Sequence, residues 1–172
     1  MGGKERVLVV QTGGTIDKDY PKVTHGWAFE ICDPAAPDIL SRVFKDFEVE
    51  VASVCKKDSQ EITDEDRQAV LQVCRETACT KIVVTHGTDT MIETASVLGR
   101  AHADGVLRGK KIAVVGSMKP AKLVDSDAAF NLGVAVGALW DGEGVLVCMG
   151  GVPRRWDAVA RDEETGMWKA KL

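Results

Sequence analysis

The sequence predicts an α/β fold: a three-layer, doubly wound sheet, mostly parallel, with helices on both faces. Three observations predict it. First, short β-branched runs recur, at residues 7–10 (VLVV), 82–84 (IVV) and 112–115 (IAVV). They are apolar at consecutive positions, as strands covered on both faces are. Second, stretches with helical spacing of apolar residues separate these runs, and that alternation favours parallel strands with crossover helices on both sides. Third, glycine, threonine and acidic residues gather where the strands end, which is where open α/β sheets hold their ligands.

In chain order, residues 6–11 form the first strand. Residues 17–29 contain Pro21 and Gly26 and read as a loop with a hairpin, holding Tyr20, the sole tyrosine. Pro34 or Pro37 opens a helix to about residue 44, with Ile39, Leu40 and Val43 on one face. Residues 47–54 alternate Phe47, Val49 and Val51 with Glu48 and Glu50, a partly solvated strand. A loop at 56–63 carries Asp58, Ser59, Gln60 and Glu61. Thr63 with Asp66 three residues on resembles a capping box, and the helix it opens runs to about residue 77 on Val70, Leu71, Val73 and Cys74. A strand at 81–85 leads to a helix at about 90–103 built on Met91, Ala95, Leu98 and His102. A fourth strand covers 110–116 and a loop 117–125. A helix at 125–140, capped by Asp125 or Ser126, precedes a fifth strand at 144–149. The tail, 150–172, is polar and mixed.

The 172 residues suit one domain with a sizeable core. The net charge of −4 argues against electrostatic binding to nucleic acid or to an anionic membrane. No apolar run is long enough to span a bilayer. The chain enters a strand almost at once, so no signal peptide is expected and a cytoplasmic location follows. The five cysteines and three histidines have neither framework nor zinc spacing, so reduced thiols, no metal and no cofactor are expected.

Two stretches carry the chemistry. QTGGTI at 11–16 follows the first strand, and THGTDTM at 85–91 follows a later one. Each ends in threonine hydroxyls beside glycine, whose lack of a side chain lets the backbone turn sharply and approach a ligand. Taken singly, each feature has a plain structural explanation. Thr88–Asp89 would cap the next helix, Asp58–Ser59 would make a solvated turn, and Lys110 would be a surface lysine. His86 reads as a packed strand-end histidine without a catalytic role. Four strand ends presenting these residue types together favour a site. GxGxxG and GxxxxGK[ST] are both absent, which weighs against nucleotide binding.

TGGTI, THGTDTM and then Lys110 leading into VVGSMKPA resemble the bacterial-type L-asparaginase family over nearly the whole chain. The resemblance implies the fold of that family's N-terminal domain and hydrolysis of L-asparagine to L-aspartate and ammonia, with weaker glutaminase activity. Thr15 matches the first, nucleophilic threonine and Thr88 the second. Asp89 matches the aspartate that grips the substrate ammonium, and Lys110 the lysine of a Thr–Asp–Lys relay. Adjacent Lys111 would point to the other face of the strand. Tyr20 is the candidate for the tyrosine that activates the first threonine. Ser59 and Gln60 match the serine and glutamine of the substrate-carboxylate loop, Asp58 beside them is a further substrate-binding candidate, and a backbone N–H near Gly14 or Gly87 would serve as oxyanion donor. Members usually carry a smaller C-terminal domain, so this chain is expected to be a single N-terminal-like catalytic domain over 1–172 with that second domain absent. A homodimer or higher homo-oligomer is expected, with Arg154, Arg155, Trp156 and Trp168 in the contact because the tryptophans have little core left to join. A weak KM for the small-molecule substrate follows from fewer contacts. The alternative is an amino-acid-binding sensor without catalysis on the same scaffold.

Overall fold

The computed structural model describes residues 3–22 and 28–171; Gly26 of the expected loop lies outside them. The sheet is built from β1 (Glu5–Gly13), β4 (Phe47–Lys57), β5 (Lys81–Thr85), β6 (Lys111–Val115), β7 (Gly144–Met149) and β8 (Val152–Arg155). Its strand order is β4-β1-β5-β6-β7-β8. All neighbours are parallel except β7 and β8, which pair antiparallel. The alternation of side chains along the strands sorts them into two cores. Leu8, Val10, Ile82, Val84, Ile112 and Val114 meet α2 (Asp64–Glu76) and α3 (Met91–Ala103). Val7, Val9, Val83, Ala113 and Val115 meet α1 (Ala35–Ser41) and α4 (Ala128–Ala138) on the opposite face. The three layers are thus helix, sheet and helix, as the sequence predicts.

Strand order reverses beside β1. The chain leaves β1 for β4 on one side and returns to β5 on the other. The carboxyl ends of β1 and β5 therefore flank the crevice where such sheets bind ligands. The expected hairpin after β1 is a short antiparallel pair, β2 (Lys18–Asp19) with β3 (Glu30–Ile31). Thr63 caps α2 reciprocally: its Oγ1 accepts from Asp66 N–H, and Asp66 Oδ2 accepts from Thr63 N–H at 2.9 Å.

Several boundaries differ from the sequence reading. α1 stops at Ser41, leaving Val43 and Phe44 exposed. The strand at 47 runs on to Lys57, and Val51 faces solvent while Ala52 and Val54 turn to the core. β6 starts at Lys111, not at 110. α4 starts at Ala128 because the Asp127 carboxylate instead holds the N–H groups of Met118 and Lys119, all at 3.0 Å. The largest correction is the tail. It adds β8 to the sheet and forms a hairpin of β9 (Val159–Arg161) with β10 (Trp168–Ala170). Trp156 and Trp168 pack against the core that contains α3, so they are not spare groups awaiting a subunit contact. Gly99 makes the room: a Cβ there would come within 2.2 Å of the Trp156 ring.

Candidate active site

The crevice is assembled by backbone contact. β1 ends in Gly13 and Gly14 follows it, at φ +111° and +86°, angles that L side chains rarely adopt. A Cβ on Gly14 would lie 2.3 Å from the amide nitrogen of Gly87, so the loops after β1 and β5 touch. A Cβ on Gly87 would meet Ser59 at 2.6 Å, which brings in the loop after β4. One on Gly116 would meet the His86 carbonyl at 2.4 Å, which brings in the loop after β6. Thr15 and Thr88 directly follow the touching glycines, and both are partly exposed.

Around Asp89 a polar cluster forms. Its Oδ2 accepts from Gln60 Nε2 at 2.9 Å, and its Oδ1 from Arg161 Nη1 at 3.0 Å. Its main-chain N–H donates to the buried Ser59 Oγ at 3.1 Å, and Thr90 Oγ1 donates to the Ser59 carbonyl at 2.6 Å. The helix that follows is preceded by Thr90 without a side-chain cap. Thr88 and Asp89 are therefore not the helix cap that their residue types allow; the carboxylate faces the other loops. Each carboxylate oxygen has a second lone pair, so the cluster can still accept a donor such as an ammonium.

A buried layer supports the loops. Gln11 Nε2 donates to Asp17 Oδ2 at 3.0 Å and to the Cys32 carbonyl at 2.8 Å. Asp17 Oδ1 takes the Ala35 N–H at 2.9 Å. Burial, only partly offset by these donors, lifts the Asp17 carboxyl to about 6. Thr12 Oγ1 ties β1 to the Thr85 carbonyl at 2.8 Å. His86 is fully buried; its Nδ1 meets the Gly87 carbonyl at 2.8 Å and its Nε2 the Thr94 hydroxyl at 2.7 Å. The carbonyl can only accept, so Nδ1 donates and Nε2 accepts. Burial pushes this imidazole down to about 4. It is the packed strand-end histidine that the sequence suggests.

The structure brings together Thr15, Thr88, Asp89, Ser59, Gln60, Gly14 and Gly87. It does not bring Lys110 to them. That residue precedes β6, so it lies at the amino-terminal end of the sheet, and its Nζ donates to the carbonyls of Thr77 and Cys79 at 2.5 and 2.8 Å. Lys111 opens β6 at the same end. The cation in the site is Arg161, which the sequence reading passed over in a tail without apolar period. No local signal marks it: β9 is three residues long and its partner Asp89 lies far off in the chain. The Gly14 N–H donates to the Lys57 carbonyl at 3.0 Å, which corrects its assignment as an oxyanion donor. Asp58 is paired with Lys18 at 2.9 Å and forms a capping box with Glu61. Tyr20 is exposed and lies 4.0 Å, ring centre to ring centre, from Phe29. A cleft of about 580 Å³ lies at the other end of the sheet, beside His102, Lys111 and Glu143.

The family profile described as "Asparaginase, N-terminal" matches residues 6–160. A glutaminase-asparaginase of Acinetobacter glutaminasificans is 30% identical over 158 residues, covering 85% of this chain and 46% of its own length. One of Pseudomonas fluorescens biotype A is 32% identical over 156 residues, covering 83% and 41%. The chain thus spans less than half the length of these curated relatives. The structure of a thermostable L-asparaginase from Thermococcus kodakarensis superimposes with a TM-score of 0.79 at 24% identity, over 96% of this chain and 51% of that one. At that identity the likeness speaks for the fold alone.

Proposed function

The chain belongs to the asparaginase family, and from that premise we propose that it is an amidohydrolase of L-asparagine, with weaker action on L-glutamine. Thr15 is the nucleophile. Its oxygen attacks the side-chain amide carbon, its proton goes to the departing nitrogen, ammonia leaves, and water then cleaves the resulting ester to give the acid. Asp89 binds the α-ammonium, and Ser59 with Gln60 engages the α-carboxylate. Thr88 stands beside the reacting amide, and Gly87 contributes the backbone N–H for the developing oxyanion. Tyr20, exposed just after β2, is the candidate to activate Thr15.

The observation that carries this reading is the contact between Gly14 and Gly87. It sets Thr15 beside the Thr88–Asp89–Ser59–Gln60 cluster at the strand-order reversal. The relay expected from the sequence does not extend to Lys110, whose ammonium is held at the far end of the sheet. The same reading carries a homo-oligomer. Exposed Leu123, Val124 and Phe130 favour it, in place of the tryptophans. Among the described residues no helix is long and apolar enough to cross a membrane.

An ammonia-release assay with asparagine, glutamine and a glutamate blank tests the proposal. Release from asparagine exceeding that from glutamine is expected. Saturable aspartate binding with no ammonia from either amide would replace the hydrolase reading by the sensor reading.

A further inference from the structure

Arg161 is fixed on three sides. Nη1 donates to Asp89 Oδ1 at 3.0 Å and to the Thr88 carbonyl at 3.3 Å. Nε donates to the Gly166 carbonyl at 3.1 Å. The guanidinium carbon lies 4.8 Å from the centre of the Trp168 ring, a cation–π contact. The hairpin builds this cradle: Arg161 is in register opposite Trp168, and Gly166 closes the turn at φ +70°. Less than a third of the Arg161 side chain is exposed, at 29%. The guanidinium thus grips a side-chain oxygen of Asp89 and the main chain of Thr88 at once.

We propose that Arg161 is a positioning residue for Thr88 and Asp89, and that its permanent charge keeps this half of the site out of proton transfer, leaving hydroxyl chemistry to Thr15. The inference rests on the amidohydrolase reading and deepens it. A threonine hydroxyl is a poor nucleophile until some group accepts its proton. A guanidinium keeps its proton at any pH at which proteins are folded, and it presents donors only. With Arg161 on one Asp89 oxygen and Gln60 on the other, the carboxylate is held in a fixed plane as a grip for a cationic group. A lysine at the same point would bring a compact amine that can lose its proton. Arg161→Lys therefore alters proton chemistry while keeping the charge.

Two readouts on the full chain test this. In the first, kcat for asparagine is followed against pH. Arg161→Lys is expected to raise kcat several-fold at alkaline pH, on a rising limb that the wild-type protein lacks. Adding Thr88→Val to that variant is expected to remove the gain. A purely structural role would produce neither effect, and a profile that superimposes on the wild type overturns the inference. In the second, calorimetry measures aspartate affinity. Arg161→Gln is expected to weaken it about ten-fold, close to the loss of one charge-assisted contact, and Arg161→Lys to restore it to within about three-fold. Unchanged affinity in Arg161→Gln overturns the positioning role. A wild-type protein that neither binds aspartate nor releases ammonia overturns the amidohydrolase reading and this inference with it, and is told apart because the other failures leave wild-type binding intact.

Discussion

The two ends of the sheet use similar residues for different ends. At the amino-terminal end Lys110 feeds two main-chain carbonyls, Lys81 pairs with Glu5 at 2.9 Å, and His102 lies 3.8 Å from Glu143. These contacts close the strand entries around a wide cleft. At the carboxyl-terminal end the loops after β1, β4, β5 and β6 are in backbone contact through Gly14, Gly87 and Gly116. There the charged groups Asp89 and Arg161 meet across loops. In a parallel sheet all strands enter at one end and leave at the other, so a residue's side of its strand decides which set it joins. Chemical type does not.

The sharpest way to break this comparison is to remove one group from each end. Thr15→Ala should lower turnover roughly a thousandfold, about 4 kcal/mol of barrier, with the circular dichroism spectrum unchanged. Lys110→Met should keep turnover within about two-fold and cost about 1–2 kcal/mol of stability, since two carbonyls lose their donor. Equal losses of turnover in the two variants would mean that the ends are coupled in catalysis.

Tight backbone contact at one end and side-chain packing at the other can be separated next. Gly14→Ala adds a methyl group 2.3 Å from a backbone nitrogen at a φ that disfavours it. It should cost about 3 kcal/mol or more and destroy aspartate binding together with stability. Gly99→Ala drives against the Trp156 ring. It should cost about 2–3 kcal/mol by overpacking, measured by urea unfolding, while KM in the folded fraction holds. A Gly99→Ala protein with altered KM would contradict the division.

The smallest effect is in pH. The fold keeps His86 neutral, with its pKa pushed down to about 4, against roughly 6.5 in an unfolded chain. Its contribution to stability therefore falls as pH drops through 6.5 towards 4. Asp17 runs the other way. Its pKa is lifted to about 6 by burial, from roughly 3.9 unfolded, so its contribution falls as pH rises from about 4 to 6. The two offset one another in the same window. Asp17→Asn should unmask His86, and the variant should lose roughly 2 kcal/mol between pH 6.5 and 4.5 where the wild type changes by about 1 or less. Parallel unfolding curves for both proteins would refute the offset.

Much of the fold was legible because its determinants are local. Period-two and consecutive apolar runs mark the strands, and the Thr63–Asp66 pair marks a helix start. The two threonine–glycine stretches were legible for the same reason. Lys110 was misread although the sequence carried the correction: a residue that precedes its strand in a parallel sheet cannot reach the carboxyl-terminal crevice. Arg161 was not legible. Its partnership with Asp89 joins residues from separate parts of the chain, and a three-residue strand gives no period to detect. The tryptophans were misplaced because the space for Trp156 is written as an absence, the missing side chain of Gly99 in the middle of α3.

The hairpin that holds Arg161 lies downstream of every strand of the parallel sheet, and synthesis is vectorial. Once Met149 has emerged, β4, β1, β5, β6 and β7 can all be paired. Asp89 can already meet Gln60 and Ser59 at that point. Its counter-charge arrives later, with β9, and is clamped only when Trp168 follows. A nascent chain stalled between these points presents an anionic, unlatched crevice on a completed parallel set of strands, so the order of translation is also the order in which the site acquires its charge balance.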